Sequence, residues 1–584
     1  MKTVKPIRPK KPSGPNVFGL LKPYRGAIAL LVLFALGANA LNLVVPQIIA
    51  NTIDSLVAGN YMLNTLLIEF LGAAGFIFIF TYLQSIMQTY ASERVARDLR
   101  QDLSAKISRQ SHTYIQTTNP SKLLTNLTAD IDSIKTFVSQ AVVSIASSLF
   151  TIIGAGILLI SLNWKLGLAV LMIIPLIGGT FFVIFGRVRT LFLKSREVID
   201  WLNKVINESI LGAALIRVLN SQQPEYQKFI AANTKAKDLG MQILSLFASM
   251  IPIVGFVANL AVLTILVLGG HFVIDGTMTI GDFAAFNSYI VILIFPIFIL
   301  GFVSSIMAQA TASYQRISEV LNAPETVHTG NVVEPLTGKV ALNHVTMSYG
   351  EKIALDDVSF TVPAGTRTAI IGPTAAGKTQ LLYVLTGLLT PQTGTVEFDG
   401  RASMDYEPGR FYQQVGFVFQ DSIIFNMSIR ENIAFNKDVT DEAMRRAIET
   451  AELSDFVDTL PDKLETIVSE RGTSLSGGQK QRIMLARALA LNPKILLLDD
   501  FTARVDSKTE QKILANVLKN YPSITLISVT QKISSVEDYD QIVLLMEGEI
   551  LATGTHKELL TSSPEYVQIY NSQRSTSHYE LHAE

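Results

Sequence analysis

Six apolar stretches set the first constraint on this chain. Each approaches or exceeds the roughly 20 residues that an α-helix needs to cross a bilayer. They lie near 26–50, 63–88, 138–162, 164–186, 243–272 and 279–306 of the 584 residues. A bilayer interior accepts only helices or closed barrels, so this part of the chain reads as a bundle of spanning helices. The apolar excess is confined to it. Mean hydropathy over the whole chain is +0.35 and only 17% of residues are charged, yet 330–580 has the composition of an ordinary globular domain. The basic start KTVKPIRPKK precedes the first span. That span is too long for a secretory leader and lacks a small-residue cleavage site before a soluble domain, so it reads as an anchor that stays.

The loops orient the bundle. The segment before the first span is basic, and NTIDSLVAGNYMLN has no Lys or Arg. The next loop carries Arg94, Arg97, Arg100, Lys106, Arg109, Lys122 and Lys135, and 187–237 is again rich in Arg and Lys. The turn HFVIDGTMTIGD has none. Positive charge alternates with each crossing, so both termini are expected in the cytoplasm. The two basic loops span about 45–55 residues each and are sparse in Gly and Pro. Two antiparallel helices of about 25 residues in each would reach ~35–40 Å below the membrane, forming levers. Polar residues within the spans are few. Asn39, Asn42, Gln84, Gln88, Asn259 and Asn287 are the candidates for lining a substrate cavity, with amides that join helices as the competing reading.

Composition excludes some chemistry. The formal net charge is −1, which gives no support for nucleic-acid binding. There is no cysteine, so disulfides, thiolate zinc sites and cysteine nucleophiles are ruled out.

The globular half opens on a phosphate loop. TRTAIIGPTAAGKTQLLYVL contains Gly372, Pro373, Thr374, Ala375, Ala376, Gly377, Lys378, Thr379 and Gln380 in the spacing G-x-x-x-x-G-K-[ST]. A β-rich run precedes it and a helical pattern follows, the context the motif requires. Backbone N–H groups at a helix start wrap phosphates, Lys378 supplies a point charge and the Thr379 hydroxyl can ligate Mg²⁺. About 120 residues later ILLLD ends in Asp499, the expected partner acid for Mg²⁺. Between them LSGGQ, namely Leu475, Ser476, Gly477, Gly478 and Gln479, opens a second helix. One nucleotide rarely needs two such cradles.

At these residues the chain resembles the ATP-binding cassette family, whose signature is LSGGQ. Six spans, long inner loops and one cassette resemble an exporter half-transporter of the type IV fold. The fold class implied is an all-α six-helix transmembrane domain with long cytoplasmic helical loops, followed by an α/β P-loop nucleotide-binding domain. The expected boundaries are 1–25 for an N-terminal segment, 26–320 for the membrane domain, 321–337 for a linker, 338–575 for the cassette and 576–584 for a tail. The resemblance implies ATP and Mg²⁺ as cofactors, and a signature that serves the nucleotide of the opposite subunit. Tyr349 matches the aromatic that stacks on adenine. Gln420 matches the glutamine that senses Mg²⁺, and Asp506 the acid of the D-loop. TIVSERG at 466–472 resembles the exporter loop that touches the inner loops, and 111–116 and 208–215 resemble its coupling helices.

Two departures stand out. The family pattern after the Walker B aspartate is Glu-Pro-Thr-Ser-x-Leu-Asp, and here it is Asp-Phe-Thr-Ala-Arg-Val-Asp from Asp500 to Asp506. Shortening a general base by one methylene retracts its carboxylate by about 1–1.5 Å, a misplacement that costs on the order of 10²-fold. Gln531 stands where the family places a histidine, and glutamine cannot carry a proton near neutral pH. Ala375 for a usual Gly and Thr379-Gln380 for Ser-Thr are milder. The pattern resembles the degenerate-site subunit of a heterodimeric bacterial multidrug exporter. Such a subunit would lie in the cell membrane beside a partner with consensus glutamate and histidine, and extrude amphipathic compounds. An ATP-gated regulatory or channel-like subunit and a slow homodimeric lipid or peptide exporter are the alternatives.

Overall fold

The computed structural model describes residues 17–581, apart from 60–62, 326–329, 350–351, 437, 470–471 and 473. Most of the N-terminal segment, part of the expected linker, Glu470 and Arg471 of TIVSERG, and the last three residues of the tail therefore lie outside the described residues. The chain forms two compact units, one of 1–109 with 118–324 and one of 110–117 with 325–584.

The first unit is all helical. Its helices are α1 (Arg25–Val57), α2 (Leu63–Ser108), α4 (Pro120–Leu162), α5 (Trp164–Leu211), α6 (Ala213–Val218), α7 (Gln222–Ile274) and α8 (Ile280–Leu321), while the short α3 (His112–Thr118) lies mostly in the second unit. Six helical segments are long and apolar enough to cross a membrane. The inner-loop helices are continuations of the spans rather than separate elements. Nothing between 76 and 118 is Gly or Pro, so α2 runs unbroken for 46 residues, about 70 Å against a ~30 Å hydrocarbon core. The second short helix also falls later than expected. Residues 208–211 belong to α5, the break comes at Gly212, and α6 follows.

Side chains lock α1, α4 and α8 together. Tyr289, fully buried, donates to Leu43 O at 2.9 Å. Gly281 N donates to Asp54 Oδ1 at 2.7 Å, and a Cβ on Gly281 would lie 2.1 Å from Ala50 O, so only glycine permits that approach. Arg316 grips buried Asp130 through both carboxylate oxygens, Nε to Oδ2 at 3.0 Å. Asn39 donates to Ser147 Oγ at 3.0 Å and accepts from Thr151 Oγ1, joining α1 to α4. Asn42 and Asn287 donate to carbonyls of their own helices, those of Ala38 and Phe283. Gln84 and Gln88 are half-buried on α2, and Asn259 is exposed on α7.

The second unit is an α/β domain with two sheets. An antiparallel sheet has the order β2-β1-β4-β5, from β1 (Val340–Tyr349), β2 (Lys352–Val362), β4 (Thr393–Phe398) and β5 (Arg401–Ala402). The larger sheet has the order β10-β9-β3-β8-β7-β6, from β3 (Arg367–Ile371), β6 (Val415–Val418), β7 (Ile495–Asp499), β8 (Thr525–Val529), β9 (Gln541–Met546) and β10 (Glu549–Gly554). All its pairings are parallel except β10 with β9. Every residue of β7 is buried, because the strand is covered on both faces. Ile495 and Leu497 face the core beneath α9 (Lys378–Leu385), while Leu496 and Leu498 face the core of the helical layer around α10 (Gly477–Leu489). That alternation is the period-2 geometry of a strand.

Candidate nucleotide site

Strand order brings the motifs together. β8 lies between β3 and β7, and Asp499 registers with Val529. The phosphate loop after β3, Asp500 after β7 and Gln531 just beyond β8 therefore leave the carboxyl edge of three adjacent parallel strands. That edge is where open α/β sheets bind ligands.

The loop is cut to its space. A Cβ on Gly372 would lie 2.0 Å from Leu545 O, and one on Gly377, at φ 99°, would lie 2.4 Å from Ala354 O. Gly377 thereby turns the chain into α9 against the backbone of β2. Pro373, Thr374 and Ala375 are exposed, Ala376 and Lys378 are buried, and Thr379 and Gln380 are half-buried. The Lys378 ammonium folds onto its own loop, donating to Gly372 O at 2.9 Å and Pro373 O at 2.7 Å. Burial pulls its pKa down, and the charges of Asp500 and Asp499 oppose this.

Asp499 is 1% exposed and accepts from Thr379 Oγ1 at 3.2 Å through Oδ1, while Oδ2 has no hydrogen-bond partner. Burial lifts its pKa to about 6, with the Thr379 hydrogen bond opposing the shift and the like charge of Asp500 adding to it. A buried orphan carboxylate oxygen beside a hydroxyl is an all-oxygen donor set that fits Mg²⁺. Among the described residues no cluster of three or more His, Asp or Glu could hold a metal by itself.

Two backbone features were invisible in the residue pattern. Asp500 sits at φ 46° and Ala375 at φ 67°, both left-handed. Aspartate tolerates that region better than most residues, so the short acid at 500 also suits its backbone. Ala375 carries a cost of about 1–2 kcal/mol that glycine would not. Asp500 N donates to Val529 O at 3.0 Å, tying β7 to the strand that ends near Gln531.

The signature is a self-satisfied helix start. Leu475 packs on the main core. Ser476 Oγ accepts from Gln479 N at 3.2 Å and Gln479 Oε1 accepts from Ser476 N at 2.8 Å, a reciprocal capping box. Gly477 and Gly478 lie against Arg504, whose carbonyl would be 2.9 Å from a Cβ on Gly478. Gln481, buried on α10 and missed by motif reading, donates to Gln420 O at 3.0 Å. Asp506 caps α11 (Ser507–Asn520), accepting from Thr509 N at 2.9 Å, and those hydrogen bonds hold its pKa below the usual carboxylate range. Tyr349 ends β1 and is 39% exposed, and Gln420 and Gln531 are also exposed. The ring of His112, from α3, stands edge-on to Tyr383 of α9 at 5.3 Å.

Comparison with known proteins agrees with this geometry. Residues 28–297 match the family described as the ABC transporter transmembrane region, and 355–503 match the ABC transporter family. An uncharacterized ABC transporter ATP-binding protein of Bacillus subtilis, YfiB, is 31% identical over 96% of this chain and 98% of its own length. An ATP-dependent lipid A-core flippase of Syntrophus aciditrophicus is 28% identical over 84% of this chain and 83% of its own. A bacterial Atm1-family ABC exporter solved with ATP bound shares the fold, with a TM-score of 0.78 at 24% identity, over 95% of this chain and 99% of that one.

Proposed function

The chain belongs to the ABC transporter family, and on that premise we propose that it is the degenerate-site subunit of a heterodimeric exporter. As a family member it is a multi-pass membrane ATPase with one membrane domain and one cassette. In the proposal its own phosphate loop retains ATP and turns it over slowly. Its signature completes the working site on a partner half-transporter that carries glutamate and histidine. Bound Mg²⁺ would supply charge neutralisation between the phosphates. Thr379 and Asp499 would ligate it, with Gln420 beside them, while Lys378 exchanges its loop carbonyls for phosphate oxygens. Tyr349 would stack on the adenine. Closure of the paired cassettes would move α3 and α6 and turn the membrane cavity outward. This needs ATP to bind the closed state better than the open one.

The observation that carries the proposal is the pairing of Asp500 and Gln531 at the ends of adjacent strands β7 and β8, beside an unaltered LSGGQ. An amphipathic cargo, drug or lipid, is supported by the apolar helix faces and few amides of the membrane unit. The name of one relative, a lipid A-core flippase, agrees with it. We place the protein in the bacterial cell membrane with both termini cytoplasmic, on the alternation of loop charge. The test is the heterodimer purified with its partner. Asp500→Ala slows ATP hydrolysis only modestly, whereas removing the partner's glutamate abolishes it. The reverse result sinks the assignment.

A further inference from the structure

The C-terminal helix α12 (Pro564–Leu581) presents one side chain to the switch segment. Gln573 Nε2 donates to Gln531 O at 2.6 Å, and Gln573 Oε1 accepts from Ile533 N at 2.9 Å. One amide thus holds the backbone on both sides of Lys532, immediately after β8. The helix that carries it is firmly seated. Tyr566, Tyr570 and Gln573 follow at i, i+4 and i+7, the spacing of one helix face. Tyr566 is fully buried, with its hydroxyl 2.6 Å from His556 Nδ1, and the Tyr570 ring lies edge-on to His556 at 5.2 Å. Ile569 and Tyr570 pack on the main core.

We propose that Gln573 is a positioning residue for the switch position, setting where the side chain at 531 points by fixing the peptide groups around it. This rests on the reading that residue 531 faces the γ-phosphate. These two bonds do not depend on which side chain stands at 531, because both go to backbone atoms of the segment. A misplaced switch residue affects ATP, which has a γ-phosphate, and spares ADP.

The test uses the full-length chain in lipid nanodiscs, titrated with fluorescent ATP and ADP analogues in Mg²⁺, with Lys378→Ala as the blank. Losing two neutral hydrogen bonds predicts that Gln573→Ala weakens ATP about three- to tenfold and changes ADP less than twofold. Gln573→Glu keeps the acceptor for Ile533 and loses the donor to Gln531, so it falls between. Equal weakening of both nucleotides with a lowered melting temperature marks a merely structural role and overturns the proposal. An unchanged ATP-to-ADP ratio in Gln573→Ala overturns it as well. Gln531→Ala, measured alongside, separates the two readings. If it leaves the ratio unchanged, the switch reading itself fails, and a shift seen with Gln573→Ala alone then contradicts the route through Gln531. If it shifts the ratio and Gln573→Ala does not, only the positioning role fails.

Discussion

Two glycine-rich turns open helices on the same cassette, and they are maintained in different ways. At the phosphate loop, Lys378 is drawn onto the carbonyls of Gly372 and Pro373, and Asp499 keeps one buried oxygen without a partner. At the signature, Ser476 and Gln479 each satisfy the other's backbone N–H. The first turn has the residues of a phosphate loop, while Asp500 and Gln531, just beyond β7 and β8, stand where the resemblance leads one to expect glutamate and histidine. The second is spelled LSGGQ without departure. In the proposed function, binding and catalysis are separable because the cradle comes from one strand–loop–helix unit while residues 500 and 531 come from other strands. On that proposal the chain's own chemistry is altered while an intact turn is offered to a second nucleotide.

The strongest way to break this comparison is to add one methyl to each turn. Gly377→Ala meets Ala354 O at 2.4 Å in a left-handed backbone. It is expected to weaken nucleotide binding by 100-fold or more, with a loss of about 3 kcal/mol in stability. Gly478→Ala meets Arg504 O at 2.9 Å. It should leave binding at the chain's own loop within about twofold of wild type while impairing turnover of the assembled heterodimer. Titration of both variants with a fluorescent nucleotide checks the first half, and ATPase assay of the complex the second. Equal loss of binding in the two would contradict the division of labour.

Smaller changes sharpen it. Gln479→Ala removes the arm of the capping box that accepts from Ser476 N and should lower stability by about 0.5–1 kcal/mol, read as a lower melting temperature with unchanged nucleotide affinity at the chain's own loop. Ala375→Gly relieves a left-handed alanine and should raise the melting temperature of the nucleotide-free protein, by the equivalent of about 0.5–1 kcal/mol. The smallest effect is at Glu510, on α11. It is 2% exposed, and burial raises its pKa, with Ser535 and Lys532 opposing. Its folded pKa lies above its unfolded value of about 4.3. The charge therefore costs stability above the folded pKa, and that cost vanishes below about pH 4.3. Glu510→Gln should raise the melting temperature at pH 8, with the gain shrinking as pH falls toward 4.

Much of this was legible in the residues, for reasons that differ along the chain. The six helices were readable because bilayer thickness fixes how long an apolar run must be. Helices in the inner loops were expected too, but not that they continue the spans, because residues 89–108 and 120–137 lose their apolar excess without losing helical propensity, so α2 and α4 run on past the membrane spans. The break after α5 comes at Gly212, a few residues later than the family resemblance placed it. The phosphate loop, Asp499 and LSGGQ were readable because each is contiguous and its spacing has a mechanical reason. Gln481 and Gln573 were not, since each bonds the backbone of a segment distant in sequence, 61 and about 40 residues away. The left-handed backbone at Ala375 and Asp500 likewise has no signature in residue type alone. It bears on the short acid, since position 500 takes a left-handed backbone that aspartate tolerates better than most residues.

The central claim is that this chain's own site holds ATP and turns it over slowly because of residues 500 and 531. The most direct measurement is the ATPase rate of the chain purified alone in lipid, beside the double substitution Asp500→Glu with Gln531→His. Tight ATP binding and a low rate are expected for the wild type. A rise of at least about tenfold is expected in the double variant, since restoring the reach of a general base is worth up to about 10²-fold. A high rate from the unaltered chain, unmoved by the double substitution, would contradict the claim.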